Sequence, residues 1–264
     1  MTTEVERIGG RTVGSAVRSR AGVSAFVLPI FAATIALSAF LLFTVEPLVG
    51  RLTLPTFGGT PAVWATVLFF FQSVLLAGYA YSHLSATRFG ARRGAVIHVV
   101  LALGAVVALA LAPARISDLR DVGLPAVVNL LWILLVTIGA PALLITATTP
   151  LLSSWLAAIR SADGEAADPY WLYALSNAGS FAALLAYPFL IEPALGLATQ
   201  RGLWAVGVVL LVACLAGCAA LVLRRVGSAV PAPAAATAVI SGPAPAASAP
   251  TEIAATEIAA TDRI

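Results

Sequence analysis

The sequence predicts an all-α membrane protein, folded as a bundle of about six transmembrane helices. Three observations carry this expectation. Of the 264 residues, 60% are hydrophobic and only 10% are charged, whereas soluble domains carry roughly a quarter charged residues. The apolar residues gather into runs long enough to cross a bilayer core of ~30 Å, which takes ~20 residues. The arginines gather in alternate loops between those runs.

The first apolar run, Ala21 to Val45, follows Arg7, Arg11, Arg18 and Arg20. It exceeds the ~7–15 residue core of a cleavable signal, so it is expected to stay in the mature protein as the first helix. Five more runs follow at about Ala62–Tyr81, Gly94–Ala112, Pro125–Leu156, Tyr170–Ile191 and Gly202–Leu223. Only helices and closed barrels satisfy their backbone in hydrocarbon, and barrel strands are short and alternating. Helices are therefore expected. The fourth run contains Pro141 and Pro150 and would make a helix of about 48 Å at ~1.5 Å per residue. It is either one bent helix or two short spans. The threonines of ITATTP are expected to satisfy backbone groups freed by a kink.

Loop charge decides between these counts. With a single fourth span, Arg88, Arg92 and Arg93 share a side with Arg224, Arg225 and the arginine-rich N-terminus. The other loops hold Arg51, then Arg115 and Arg120 beside Asp118 and Asp121, then Arg201. The positive-inside rule then expects six spans with both termini in the cytoplasm. The net charge of +3 is small, and arginines confined to loops point to membrane orientation, with no nucleic-acid partner. From Val226 the chain turns rich in Pro, Ala and Ser, ending in a TEIAATEIAATD repeat, so a disordered tail is expected. The predicted organisation is a cytoplasmic arginine-rich segment (1–20), a transmembrane domain (21–225) and a tail (226–264).

Polar groups inside the spans are few. Cys214 and Cys218 lie one helical turn apart in an apolar run, a geometry poor for a disulfide and insufficient for a metal, so both are expected to be packing residues. The helix centres contain no Asp, Glu, Lys or Arg, which argues against a simple proton-coupled transporter. The uncharged polar residues are Gln72, Asn129 and Asn177, with scattered Ser and Thr, while His83 and His98 are expected near cytoplasmic helix ends, either interfacial or with their polar atoms satisfied within the protein. In SNAGSFAALLAYP, the small residues Ser176, Gly179, Ser180 and Ala183 recur at helical spacing. Such a stripe either admits a neighbouring helix, with Asn177 bonding across, or lines a cavity.

Two Glu-Pro pairs, Glu46-Pro47 in FTVEPLVGRL and Glu192-Pro193 in FLIEPALGLA, end long apolar runs. Proline steers the preceding residue out of the α region, so a helix stop is expected at each. The helix dipole disfavours a carboxylate at a C-terminus. Pairing with Arg51 and Arg201, protonation, or a bound cation would each compensate.

The stretches LLFTVEPLVGRLTLPTFGGTPAVWATVLFFFQSVLLAGYAYSH (41–83) and PYWLYALSNAGSFAALLAYPFLIEP (169–193) resemble the membrane domain of the bacterial fused transporter-like/spermidine-synthase proteins. GAPALLITATTPLLSSWLA (139–157) is a looser match, and the resemblance covers about 21–225. It implies a bacterial inner-membrane location and a fold similar to half of a major-facilitator transporter. In that family a soluble aminopropyltransferase-like domain follows, with a glycine-rich loop for decarboxylated S-adenosylmethionine. Here only about forty residues follow Leu223, and FGGT at 57–60 sits between membrane spans, not after a soluble strand. A non-catalytic module without cofactor or metal is therefore expected.

Three functions compete. The chain binds or moves a polyamine or other cation, or holds a separate soluble synthase at the membrane. Alternatively it is a half-transporter working as a homodimer on another substrate. Or it is an anchor without a ligand. In the first reading Glu46 and Glu192, with Arg51 and Arg201 near them, form outer contacts, and Gln72, Tyr79 and Asn177 line the interior.

Overall fold

The computed structural model describes residues 3–111, 123–164 and 170–227, with side chains from Val27 onward and without that of Tyr170. The chain order is α1 (Thr3–Phe57), α2 (Pro61–Arg88), α3 (Gly90–Leu111), α4 (Ala126–Leu134), α5 (Ala140–Ala162), α6 (Tyr170–Ala186), α7 (Glu192–Ala194) and α8 (Leu197–Arg225). Among the described residues there is no strand. Six helical stretches are long and apolar enough to cross a membrane: Val27–Phe57, Pro61–Arg88, Gly90–Leu111, Ala126–Ala162, Trp171–Ala194 and Leu197–Arg225. The chain is thus an all-α, multi-pass membrane protein. The tail expected to be disordered and the loop carrying Arg115, Asp118, Arg120 and Asp121 lie outside the described residues.

The fourth run is one span. A π-helical turn, Leu135–Gly139, joins α4 to α5 without a break. Pro141 lacks an N–H and crowds the carbonyl one turn back, and a wider turn just before it accommodates that defect. A second π turn, Tyr187–Ile191, contains Pro188 and joins α6 to α7. The ITATTP threonines do donate to carbonyls, Thr146 to Leu143 at 2.8 Å and Thr148 to Leu144 at 2.7 Å. Neither bond reaches the Thr146 carbonyl that Pro150 leaves without its usual donor.

The largest departure from expectation is at Glu46-Pro47. Helix α1 does not stop there but continues to Phe57, with Pro29, Pro47 and Pro55 all inside it. It ends at Gly58, whose φ of 76° suits a residue without a Cβ and whose N–H bonds the Leu54 carbonyl at 2.9 Å. Proline within a membrane helix is tolerated where its surroundings re-satisfy the freed backbone; Pro47 is half-buried where α1 packs on its neighbours, while Pro29 and Pro55 are exposed toward the ends of the span. Glu46 therefore lies eleven residues before the helix end, about 16 Å at ~1.5 Å per residue. A carboxylate sits within the span after all. At Glu192 the expected stop is found, since the helix ends at Ala194.

The two most buried spans, Val27–Phe57 and Ala126–Ala162, form the centre. α3 and α8 pack on each other and on α5, α6 lies against α1, and α2 lies against α5. The close approach of α6 depends on Gly179, where a Cβ would come 2.7 Å from the Ala36 carbonyl oxygen. Ala183, one turn on, is fully buried. Arg51 pairs with Glu192 near the ends of the two helices, so α1 and α6 run parallel. We call the end with the α1–α2 loop the upper end. At the lower end, Arg92 donates to the last carbonyls of α8, Leu223 at 2.5 Å and Val226 at 2.7 Å, and Arg225 pairs with Asp163 at 3.2 Å.

His98 is not interfacial. It is wholly buried between α2, α3 and α5, stacked on Tyr81 at 5.7 Å and edge-on to Trp155 at 6.0 Å. Its Nε2 lies 3.3 Å from the Thr148 hydroxyl. That hydroxyl spends its one hydrogen on the Leu144 carbonyl, so Nε2–H is the donor and Nδ1 of the neutral ring is a bare acceptor. Among the described residues Nδ1 has no partner. Cys218 is buried and meets the Thr34 hydroxyl at 3.5 Å, and Cys214 is half-buried, both free thiols.

Two expectations test this packing by thermal unfolding in detergent. Gly179→Ala should lower stability by about 1–3 kcal/mol through overpacking on Ala36. Gly104→Ala, with nothing within 4 Å of its Cβ, should be neutral or stabilising by up to ~1 kcal/mol. Thr148→Val should cost about 1–3 kcal/mol by orphaning the His98 N–H, whereas Ser73→Ala on the exposed face of α2 should stay within ~0.5 kcal/mol.

Candidate functional site

Helices α2 and α6 flank α1 and α5 but form no packed pair with each other. A groove of 840 Å³ lies between them, floored by α1 and α5. Its floor carries Ser38 and Glu46 from α1, and Thr146 and Thr149 from α5. Gln72, Tyr79 and His83 come from one wall, and Tyr173, Ser176, Asn177 and Ser180 from the other. The polar residues of the walls fall at 72, 79 and 83 and at 173, 176, 177 and 180, spacings that keep each set on one helix face.

Local packing explains why the floor is polar and still stable. The Ser38 hydroxyl donates to the Ile145 carbonyl at 3.1 Å, tying α1 to α5. Gly78 has no room for a Cβ, which would overlap the Thr146 hydroxyl, so α2 closes directly on α5. The small-residue stripe of α6 serves both purposes. Gly179 and Ala183 face α1, while Ser176, Asn177 and Ser180 face the groove.

The groove is long. Ser38 to Glu46 covers two turns of α1, about 12 Å, and Gln72 to His83 covers about 16 Å of α2, at ~1.5 Å per residue. Gly50 meets Trp64 and Gly78 meets Thr146, so α1 and α2 run antiparallel. Glu46 and Gln72 therefore belong to the upper part of the groove, and His83 and Tyr173 to the lower part. Phe43, Phe71 and Phe181 supply apolar surface between the polar groups.

The seven candidate residues divide sharply. Glu46, Gln72, Tyr79 and Asn177 come together in the groove. Glu192, Arg51 and Arg201 are not among its lining residues. The expected ion pair is formed by Arg51 Nη1 and Glu192 Oε1 at 3.0 Å, across two helices, so the carboxylates do not act together. Glu46 is half-buried, and among the described residues it has neither a hydrogen bond nor an ion pair. A charged side chain at the centre of a membrane helix costs about 2.5–3.5 kcal/mol on insertion scales, so an unpaired one is a candidate functional residue.

Several polar groups were not singled out in the sequence. Ser38 and Tyr173 line the groove, but isolated Ser and Tyr are too common in membrane helices to stand out, and Thr149 of ITATTP, expected only to satisfy backbone, lines it as well. Near the upper end, Tyr187 donates to Gln200 at 2.9 Å, Gln200 to the Leu195 carbonyl at 2.8 Å, and Trp204 to the Leu41 carbonyl at 3.0 Å. This network anchors α8 to α1 and to the α7 turn, and Gln200 is buried within it. Among the described residues no group of three or more His, Cys, Asp or Glu side chains is placed to hold a metal ion. No family model, curated protein or solved structure matches the chain.

Proposed function

We propose that this protein is a non-catalytic membrane module that binds a linear organic ammonium ion in the groove and moves or retains it within the bilayer. The observation that carries this reading is Glu46, a carboxylate inside a membrane span with no counter-charge among the described residues. No arginine lines the groove, so its only full charge is negative. The remaining polar lining consists of hydroxyls and amides, whose oxygens accept hydrogen bonds from N–H groups. Apolar side chains between them match methylene segments, and phenylalanine faces attract cations.

The length of the groove favours an extended amine over a compact ion. A bare divalent cation needs six or more oxygen ligands, and one carboxylate is a poor start for that. Polyamines belong to the favoured class, but Glu192 is occupied by Arg51 and does not supply a second carboxylate to this groove. Arg88, Arg92, Arg93, Arg224 and Arg225 at the lower end support a cytoplasmic location for that end. Glu46 would then lie in the outer half of a bacterial inner membrane.

The test is the melting temperature of the purified protein against putrescine, spermidine and a monoamine, each beside a salt control of equal ionic strength. A ligand at a hundred times its Kd stabilises by about 2.7 kcal/mol, a shift of several degrees. Glu46→Gln should abolish that shift, and Glu192→Gln should preserve it. An equal response in the parent and in Glu46→Gln would move the ligand elsewhere.

A further inference from the structure

Most arginines with described side chains are engaged. Arg51 pairs with Glu192 and Arg225 with Asp163, Arg92 donates to backbone carbonyls, and Arg160 and Arg201 are not free either. Arg88, Arg93 and Arg224 differ. Among the described residues they make no hydrogen bond or ion pair, and all three stand exposed at the lower end. Membrane orientation asks only for charge on that side, not for any particular placement of it. Two of the three are nevertheless brought together by a specific contact. Arg92 Nη1 donates to the Leu223 and Val226 carbonyls, joining the start of α3 to the end of α8. Arg93 and Arg224 are each next to a residue of that junction, one on either helix.

The same contact makes the junction hospitable to an anion. A helix C-terminus carries partial negative charge that repels one, but two of the terminal carbonyls of α8 already accept from Arg92. Toward the midplane the surface turns apolar. Val96, Val100 and Leu103 on α3 and Ala213, Ala216 and Ala220 on α8 are all exposed. Val96 and Val100 follow Arg93, and Ala220 and Ala213 precede Arg224, at spacings that keep each set on the face of its arginine. Span Gly90–Leu111 has only 28% of its most apolar window buried, so this side of the bundle meets lipid.

We propose that Arg93 and Arg224 together hold the phosphodiester of an anionic phospholipid, whose acyl chains lie along α3 and α8. A surface that is cationic at the membrane boundary and apolar above it matches that molecule from headgroup to chain. Guanidinium groups bind phosphate through paired N–H donors in a fixed fork, and basic pockets between membrane helices suit anionic headgroups. A zwitterionic lipid brings its own cation to a site that already has two. Inorganic phosphate brings no chains for the apolar faces. Arg88 ends α2, which forms no packed pair with α8, so it lies outside the site. None of these residues lines the groove, and the proposal is independent of the ammonium reading.

The test follows the melting temperature of the full chain in neutral detergent, with added phosphatidylglycerol, phosphatidylcholine of the same acyl chains, or inorganic phosphate. Phosphatidylglycerol should raise it by several degrees over phosphatidylcholine, and phosphate should not. Arg93→Gln with Arg224→Gln should lose most of that rise, whereas Arg88→Gln and Glu46→Gln should keep it. Native mass spectrometry of the same variants gives a readout that does not depend on unfolding. The double variant should bind its first phosphatidylglycerol about tenfold more weakly than the parent, as loss of charged hydrogen bonds implies. Equal effects of the two lipids on the parent would overturn the proposal. So would equal losses in Arg88→Gln and the double variant, which would show a diffuse field, or a phosphate effect as large as that of the lipid.

Discussion

Everything in this structure answers to one constraint: inside a bilayer, a polar group must find its partner within protein or in water that protein encloses. The two central spans show the constraint being met. Threonine and serine hydroxyls along them bond backbone carbonyls, as Thr34 does to Ile30 at 2.6 Å, Thr44 to Phe40 at 2.9 Å and Ser38 across to Ile145. Glycines at 78 and 179 remove side chains where backbones must approach. Pro141 and Pro188 fall at π turns, and Pro47 lies half-buried within the unbroken helix α1.

Against that background the groove stands out as the place where the constraint is left open. The back of the bundle, where α3 and α8 pack, is closed by alanines, leucines and valines, and His98 there is held by Thr148 and two aromatic rings. The front holds two exposed amides and a half-buried carboxylate between two helices that form no packed pair. The same helix α1 supplies both one of the two most buried spans and the unpaired Glu46. Binding and packing are therefore coupled through one element, and a ligand at Glu46 acts directly on the helix that organises the fold.

Much of the fold was legible in the sequence because hydrophobic length alone identifies membrane spans. The helices overrun the apolar runs by a turn or more, as α2 does to Arg88 and α5 to Ala162, since helices continue into the interface where polarity rises. The effect of Pro47 was not legible, because tolerance of a proline depends on which helices surround it. The groove was partly legible. Gln72 and Asn177 are conspicuous inside apolar runs, and Tyr79 follows Gln72 by two turns on the same face. Which carboxylate met Arg51 was not, since Glu192 approaches it only through the parallel packing of α1 and α6 at Gly179. Gln200 and His98 lay near apparent helix ends, and only the tertiary contacts of Trp204, Tyr187 and Trp155 show them to be buried.

A groove that binds an ammonium ion from water must itself be reached by water from Glu46 to Asn177, although it lies within the membrane. Thiol labelling tests it most directly, because maleimides react with the thiolate, which forms only where water reaches. With Cys214 and Cys218 replaced, single cysteines at Asn177 and at the outward-facing Val107 would be exposed to a water-soluble, membrane-impermeant maleimide. The account expects rapid labelling at Asn177→Cys, slowed by a saturating amine, and negligible labelling at Val107→Cys. Equal, negligible labelling at both positions would show a groove filled by lipid and would contradict the account.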